Sequence, residues 1–262
     1  MLFRSGATPG ETLHAIGPDG TDAGAITVDT QGSALWRNLT AGDGWHITAS
    51  DGQSASVKVA SRDDMPPADL YTSQTLLPAG GFGYITTRDG TTLSANVVLP
   101  GPADKGPYPT VVEYSGYQPS DPDSAQLAAI YTAQGFAYVG VNMRGTGCSG
   151  GSYRFFEEVQ SLDGYDVIEA VAAQPWVKFH TVGMVGISYP GISQLFVAAT
   201  QPPHLNSITP LSVLDDSYRS TLYPGGILNT GFAVDWTKAR VESAQPFGQG
   251  WSKKRADAGD TR

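Results

Sequence analysis

Val182-Gly183-Met184-Val185-Gly186-Ile187-Ser188-Tyr189-Pro190-Gly191-Ile192-Ser193-Gln194-Leu195-Phe196-Val197 is the stretch on which the fold turns. Val182–Ile187 is short and almost wholly apolar, as a strand covered on both faces must be. Ile192 to Thr200 has helical spacing and is stopped by Pro202-Pro203. Between them the chain must turn sharply, and glycine tolerates the backbone angles such a turn needs. A strand that bends directly into a helix leaves the residue at the bend, Ser188, exposed at the C-terminal edge of a sheet. The helix then aims its unbonded N–H groups and positive dipole end at that serine.

Working outward, strand and helix alternate. Thr110–Tyr114 and Phe136–Val141 are further apolar strands, and Leu205–Val213 follows as one more. Ser124–Ala133 has helical spacing through Leu127, Ile130 and Tyr131, with Asp123 or Ser124 as cap and Gly135 as stop. Asp166–Trp176 is a second helix with Val167, Ile168, Val171 and Ala172 on one side. Phe82–Arg88 and Thr91–Leu99 flank Asp89-Gly90, which predicts a hairpin with a two-residue turn. The alternation implies an α/β class with a parallel sheet and helices on both faces. Residues 1–62 differ. Ala25–Val28, Ala34–Arg37, Trp45–Thr48 and Ser56–Val59 are short runs separated by Gly, Asp and Asn, which predicts a small antiparallel, sandwich-like β-domain. Arg62 to Asp69 is charged and then proline-stiffened, as a linker is. The expected organisation is a β-domain over 1–62, a linker over 63–75 and an α/β domain over 76–262.

Composition narrows the partners. Of 262 residues, 40% are apolar and 16% charged, an ordinary globular balance. A net charge of −9 argues against nucleic acid or an anionic membrane, both of which need a basic surface. Neither a membrane-length apolar run nor a signal core is found, so a cytoplasmic location is the default expectation. Cys148 is the single cysteine, which excludes an intrachain disulfide, and it forms no metal-ligand spacing with the histidines. No cofactor is expected.

Ser188 is the candidate nucleophile. Acyl transfer needs a nucleophile and donors for the oxyanion, and the Tyr189 N–H is placed to be one donor. The five-residue Gly-x-Ser-x-Gly pattern fails at Pro190, with glycine one place later at Gly191. The competing explanation is a serine that merely caps a helix after a strand. The possible bases are His14, His46, His180 and His204. The first two fall in the β-domain. His180 begins the strand that ends at Ser188, roughly 25 Å away at about 3.3 Å per residue. His204 lies near that same far end. Packing or surface roles are expected for all four. Asp215 and Asp216 follow a strand at the correct edge, but turn capping is the better expectation. Since the usual chain order is Ser, acid, His, the acid and base are expected beyond residue 262, and the chain is expected to stop inside its domain. Gly145-Thr146-Gly147-Cys148-Ser149-Gly150 fits the dinucleotide spacing in form. No helix is expected to open there, so a tight loop is the better reading.

These residues carry a family resemblance. Arg88-Asp89-Gly90-Thr91-Thr92-Leu93, Glu113-Tyr114-Ser115-Gly116-Tyr117, Asn142-Met143-Arg144-Gly145-Thr146-Gly147-Cys148-Ser149-Gly150-Gly151, Gln174-Pro175-Trp176-Val177 and the Gly186–Gly191 turn occur in this order. Together they resemble the cocaine-esterase-like and X-Pro dipeptidyl-peptidase-like serine hydrolases of the α/β-hydrolase superfamily, from about Tyr84 to about Gly226. The resemblance implies that Ser188 is the nucleophile and that the Tyr117 hydroxyl and the Tyr189 N–H form the oxyanion hole. It implies a small ester or peptide substrate, a helical cap starting near Leu222, and an acid and histidine beyond residue 262. Asn142 stands where some relatives carry aspartate, which bears on the hydrogen bonding of its loop. The second hypothesis is a catalytically inactive fragment whose β-domain serves as a binding module.

Overall fold

The computed structural model describes residues 2–4, 7–30, 32–49, 52–53, 56–61, 63–67, 69–76, 80–124 and 126–260. Met1, Ser5 and Gly6 of the N-terminus, Arg62 and Ala68 of the expected linker, Ala125 of the first expected helix, and Thr261 and Arg262 lie outside the described residues. The chain divides into two compact units, Met1–Pro66 and Pro67–Arg262.

The first unit is all antiparallel β. Strands β1 (Leu2–Arg4), β2 (Thr12–Ile16), β3 (Asp22–Thr27), β4 (Ala34–Trp36), β5 (Gly42–Ala49), β6 (Gly52–Gln53) and β7 (Val57–Val59) follow in chain order. β1 pairs with β4, a second sheet runs β3-β2-β5-β6, and β7 pairs with β5. Strand β2 had no strong sequence signal, because its alternation is only Leu13 and Ala15 inward against His14 outward. Leu13, Ala15, Trp36, Trp45, Ile47 and Val59 form the core. Both indoles are hydrogen-bonded to backbone, Trp36 Nε1 to Gly24 O at 2.8 Å and Trp45 Nε1 to Thr40 O at 3.2 Å.

The second unit is built on a six-stranded sheet. Its strands are β8 (Gly81–Thr86), β9 (Thr92–Val98), β10 (Tyr108–Ser115), β11 (Ala137–Asn142), β12 (Val177–Ile187) and β13 (Leu205–Leu211). The order is β13-β12-β10-β11-β9-β8, with β10 to β13 mutually parallel and the β8–β9 hairpin antiparallel at one side. Helices α1 (Gln126–Thr132), α2 (Glu158–Ala172) and α3 (Tyr189–Ala198) make the crossovers, and α4 (Phe232–Ser243) and α5 (Trp251–Asp257) follow the sheet. Val112, Val139, Val141 and Met184 are almost completely excluded from water. Each such side chain stabilises the fold by about 1.5–3 kcal/mol. β13 is the outer strand on the side of Ser188, and Ile187, Leu211 and Val213 there are exposed. Among the described residues no helix is long and apolar enough to cross a membrane.

Two local expectations are corrected. The β8–β9 hairpin closes on the pair Thr87 N–H to Thr91 O at 2.9 Å, so its loop is Arg88-Asp89-Gly90, three residues rather than two. The Asp89 carboxylate takes the Thr91 N–H at 3.0 Å and the Thr87 hydroxyl at 2.8 Å, and Gly90 absorbs the left-handed φ of 84°. Arg88 is drawn out of the turn onto Asp166, its guanidinium Nη2 at 2.8 Å from the carboxylate. The second helix starts at Glu158, eight residues before Asp166. Its first half escaped the apolar pattern because its buried residues are polar. Asp163 holds the buried Arg144 at 2.5 and 2.6 Å. Gly164 admits α3, since a Cβ there would lie 2.2 Å from Val197 Cγ2. Tyr71, Gln74 and Leu76 are already hydrogen-bonded within the second unit, to Asp166, Thr86 and Gln174.

Candidate active site

Ser188 stands between β12 and α3 with φ 66° and ψ −122°. A side chain seldom adopts this conformation, and surrounding structure must hold it there at a cost of about 1–3 kcal/mol. Three backbone bonds do so. The Ser188 N–H donates to Leu211 O at 2.9 Å, and the Gly191 and Ile192 N–H groups both donate to Ser188 O at 2.8 Å. The neighbouring glycines are demanded by close approach. A Cβ on Gly186 would lie 2.5 Å from Pro190 Cβ, and one on Gly191 would lie 2.3 Å from Leu211 O. The tight contact with β13 falls at position 191, not 190, which is why proline is tolerated at the fifth place of the turn.

Tyr189 and Tyr117 are in ring contact at the start of α3. Tyr189 is the first residue of α3, so its N–H has no intrahelical carbonyl to bond. Its ring is fully buried and meets the Tyr117 ring edge-on at 5.5 Å. Burial and the neighbouring Tyr153 push the Tyr189 phenol well above its ordinary pKa, so it stays protonated. Tyr117 lies in the loop after β10. The Asn142 amide donates to Tyr117 O at 2.8 Å, the Gln249 amide donates to the same oxygen at 2.7 Å, and Ser115 Oγ accepts the Tyr117 N–H at 3.1 Å. Asn142 therefore fixes this loop with a donor that an aspartate lacks. Its Oδ1 in turn accepts the Ser120 N–H at 3.1 Å.

Sequence reasoning missed the contribution of α4. Trp236 Nε1 donates to the Tyr117 hydroxyl oxygen at 3.1 Å. An indole N–H can only donate, so the phenol accepts here and keeps its own proton to give elsewhere. One turn later, the Arg240 guanidinium lies 4.9 Å from the Tyr117 ring centroid. Phe155, Tyr189 and Phe232 pack around Trp236 at 5.8, 5.8 and 6.3 Å. The available signal was the spacing of Phe232, Trp236 and Arg240, which puts all three on one helix face.

The remaining candidates sit elsewhere. His14 and His46 belong to the first unit. His180 Nδ1 bonds Ala172 O at 3.0 Å, and His204 Nδ1 bonds Glu169 Oε2 at 2.6 Å. His204 O accepts the Val182 N–H, which puts it beside the middle of β12, six residues before Ser188. Asp216 caps the turn after β13 through the Arg219 N–H at 2.9 Å, and Asp215 accepts from Ser220 Oγ at 3.0 Å. The Gly145–Gly150 loop closes on itself, Gly145 N–H to Gly150 O at 2.8 Å, and no helix opens before Glu158. Burial and the charge of Asp260 push the Cys148 thiol up to about 11, the opposite of an activated nucleophile.

Parts of known proteins are similar to this chain. A protein of Mycobacterium bovis named as a serine esterase is 28% identical over 173 residues, covering 58% of this chain and 27% of its own length. The cocaine esterase of a Rhodococcus species is 27% identical over 179 residues, covering 66% of this chain and 29% of its own. The chain thus spans less than a third of the length of these relatives. The crystal structure of a CocE/NonD family hydrolase from Staphylococcus aureus matches with a TM-score of 0.57 and 27% identity, over 63% of this chain and 33% of that one. The second unit has the α/β-hydrolase fold, with the small β unit before it. The profile of the X-Pro dipeptidyl-peptidase (S15) family matches residues 89–262, from the β8–β9 loop through Ser188 to the C-terminus, and the chain belongs to that family of hydrolases.

Proposed function

We propose that this chain carries the nucleophilic half of a serine-hydrolase site for small ester or peptide substrates. The Ser188 Oγ attacks the acyl carbon and its proton passes to a base. The carbonyl oxygen becomes an oxyanion between the Tyr189 N–H and the Tyr117 hydroxyl. The leaving group departs with a proton, and water then cleaves the acyl-enzyme. The observation that carries this reading is the left-handed backbone of Ser188, held by three hydrogen bonds at a strand-to-helix turn. A capping serine needs no such conformation, because N-caps sit in the extended region. The Trp236 bond to Tyr117 adds support, since it leaves the phenolic proton free to donate.

In this reading the acid and the base come from polypeptide outside residues 1–262. Both histidines of the second unit are bonded to α2 rather than to Ser188. A fluorophosphonate probe tests the proposal. We expect slow labelling that peptide mapping assigns to Ser188 and that Ser188→Ala abolishes. Labelling at another residue overturns the nucleophile. Fast labelling, lost in Ser188→Ala, overturns the external base.

A further inference from the structure

We infer that Trp236 is a positioning residue for the reaction: its indole N–H directs the Tyr117 hydroxyl proton toward the oxyanion. The inference rests on the Ser188 and Tyr117 reading above and adds to it the group that sets the direction of the second donor.

A phenol ends in a rotor. Its oxygen carries one proton, which turns to whichever acceptor is near, water included. A donor that serves a charge formed only during reaction has to be aimed beforehand. The Trp236 Nε1–H donates to the Tyr117 oxygen at 3.1 Å. An indole N–H never accepts, so the Tyr117 proton gains nothing on that side and is repelled from it. A hydroxyl that accepts one hydrogen bond is also polarised into a better donor for the next. A phenylalanine at 236 would offer the same kind of apolar ring and leave the Tyr117 oxygen free to turn.

The indole is itself held in register with the turn that carries Ser188. Tyr189 follows Ser188 directly, and its ring is fully buried. That ring meets Tyr117 edge-on at 5.5 Å and lies against Trp236 at 5.8 Å, the planes 35° apart. Tyr117, Tyr189 and Trp236 thus close a triangle in which two sides are ring contacts and the third is the hydrogen bond. The Tyr153 hydroxyl donates to the Tyr189 hydroxyl at 3.0 Å and pins the ring at the shared corner. Phe155 and Phe232 flank the indole at 5.8 and 6.3 Å. The competing explanation is that Trp236 only packs, since Ala233 is the buried residue of α4 and the aromatic face helps to hold that helix.

Fluorophosphonate labelling of residues 1–262 separates the two, because the phosphonyl oxygen gains negative charge as the serine adds. Trp236→Phe keeps a ring and removes the N–H. It lowers the limiting rate of Ser188 labelling about ten-fold and leaves the apparent affinity for the probe unchanged, whereas Tyr117→Phe lowers the rate about 100-fold. Added to Tyr117→Phe, the Trp236→Phe change costs less than about two-fold. A loss of the same size in both backgrounds, or no loss in the single variant, shows that the indole only packs and overturns the inference. Proton–nitrogen correlation spectra supply a readout that needs no labelling. The indole signal missing from Trp236→Phe shifts in Tyr117→Phe, and an unmoved signal overturns the inference. Failed Ser188 labelling of the unaltered chain overturns the parent reading and the role of Trp236 with it. Additive losses in a chain that labels at Ser188 overturn this inference alone.

Discussion

Two glycine-rich turns follow parallel strands at the same edge of the sheet, and they do opposite things. After β11, Gly145 to Gly150 closes into a loop, and its outer end is tied to the hairpin by Gly150 N–H to Thr92 O at 2.8 Å. Its glycines serve the chain's own contacts. A Cβ on Gly145 would lie 2.0 Å from Tyr153 N, and one on Gly147 would lie 2.7 Å from Trp251. After β12, Gly186 to Gly191 opens a helix at once, and its glycines let that helix sit against β13. Glycine spacing therefore records where backbone passes close, in both turns alike. What separates them is the one strained residue that is not glycine: Ser188, with φ 66°.

The sterics give the largest expected effects. Gly145→Ala and Gly191→Ala each drive a methyl into backbone that cannot yield, and each lowers unfolding free energy by about 3 kcal/mol or more. Urea titration measures this, and a wild-type midpoint in either variant breaks the claim that both turns are fixed by contact. Next comes the clasp of the β11 loop. Asp163→Ala strands the buried Arg144 charge and costs about 3 kcal/mol. Asp89→Asn touches the same guanidinium from a carboxylate that is 39% exposed and costs under about 1 kcal/mol. Equal costs show that the loop is not held from its buried side. The smallest effect carries the most information. Ser188→Gly relieves the left-handed strain, raises stability by roughly 0.5–1 kcal/mol and abolishes fluorophosphonate labelling. A lower melting temperature in that variant means the turn stores no strain.

How much of this was legible in the sequence depended on what each buried face is made of. Phe136–Val141 and Val182–Ile187 announced themselves because their buried faces are apolar. The turn at Ser188 was equally readable, since a strand signal abuts a helix signal with glycine between. The first half of α2 was not, because Gln160, Asp163 and Gly164 are buried without being apolar. Tyr117 could be singled out only through resemblance. Nothing local distinguishes a loop tyrosine whose carbonyl is held by Asn142 and Gln249, one of them 132 residues away. Trp236 was readable as part of a helix face but not as a neighbour of Tyr117, because that partner is 119 residues earlier in the chain.

The bond from the Ser188 N–H to Leu211 O has a mechanical consequence. Leu211 is the last residue of β13, the outer strand of the sheet. The turn that carries Ser188 is therefore tied to β13 by this bond as well as continuing β12, which lies between β13 and β10. Its position is set jointly by these two adjacent strands. A change in the pairing of β12 with β13 therefore reaches the Ser188 backbone without any contact to its side chain.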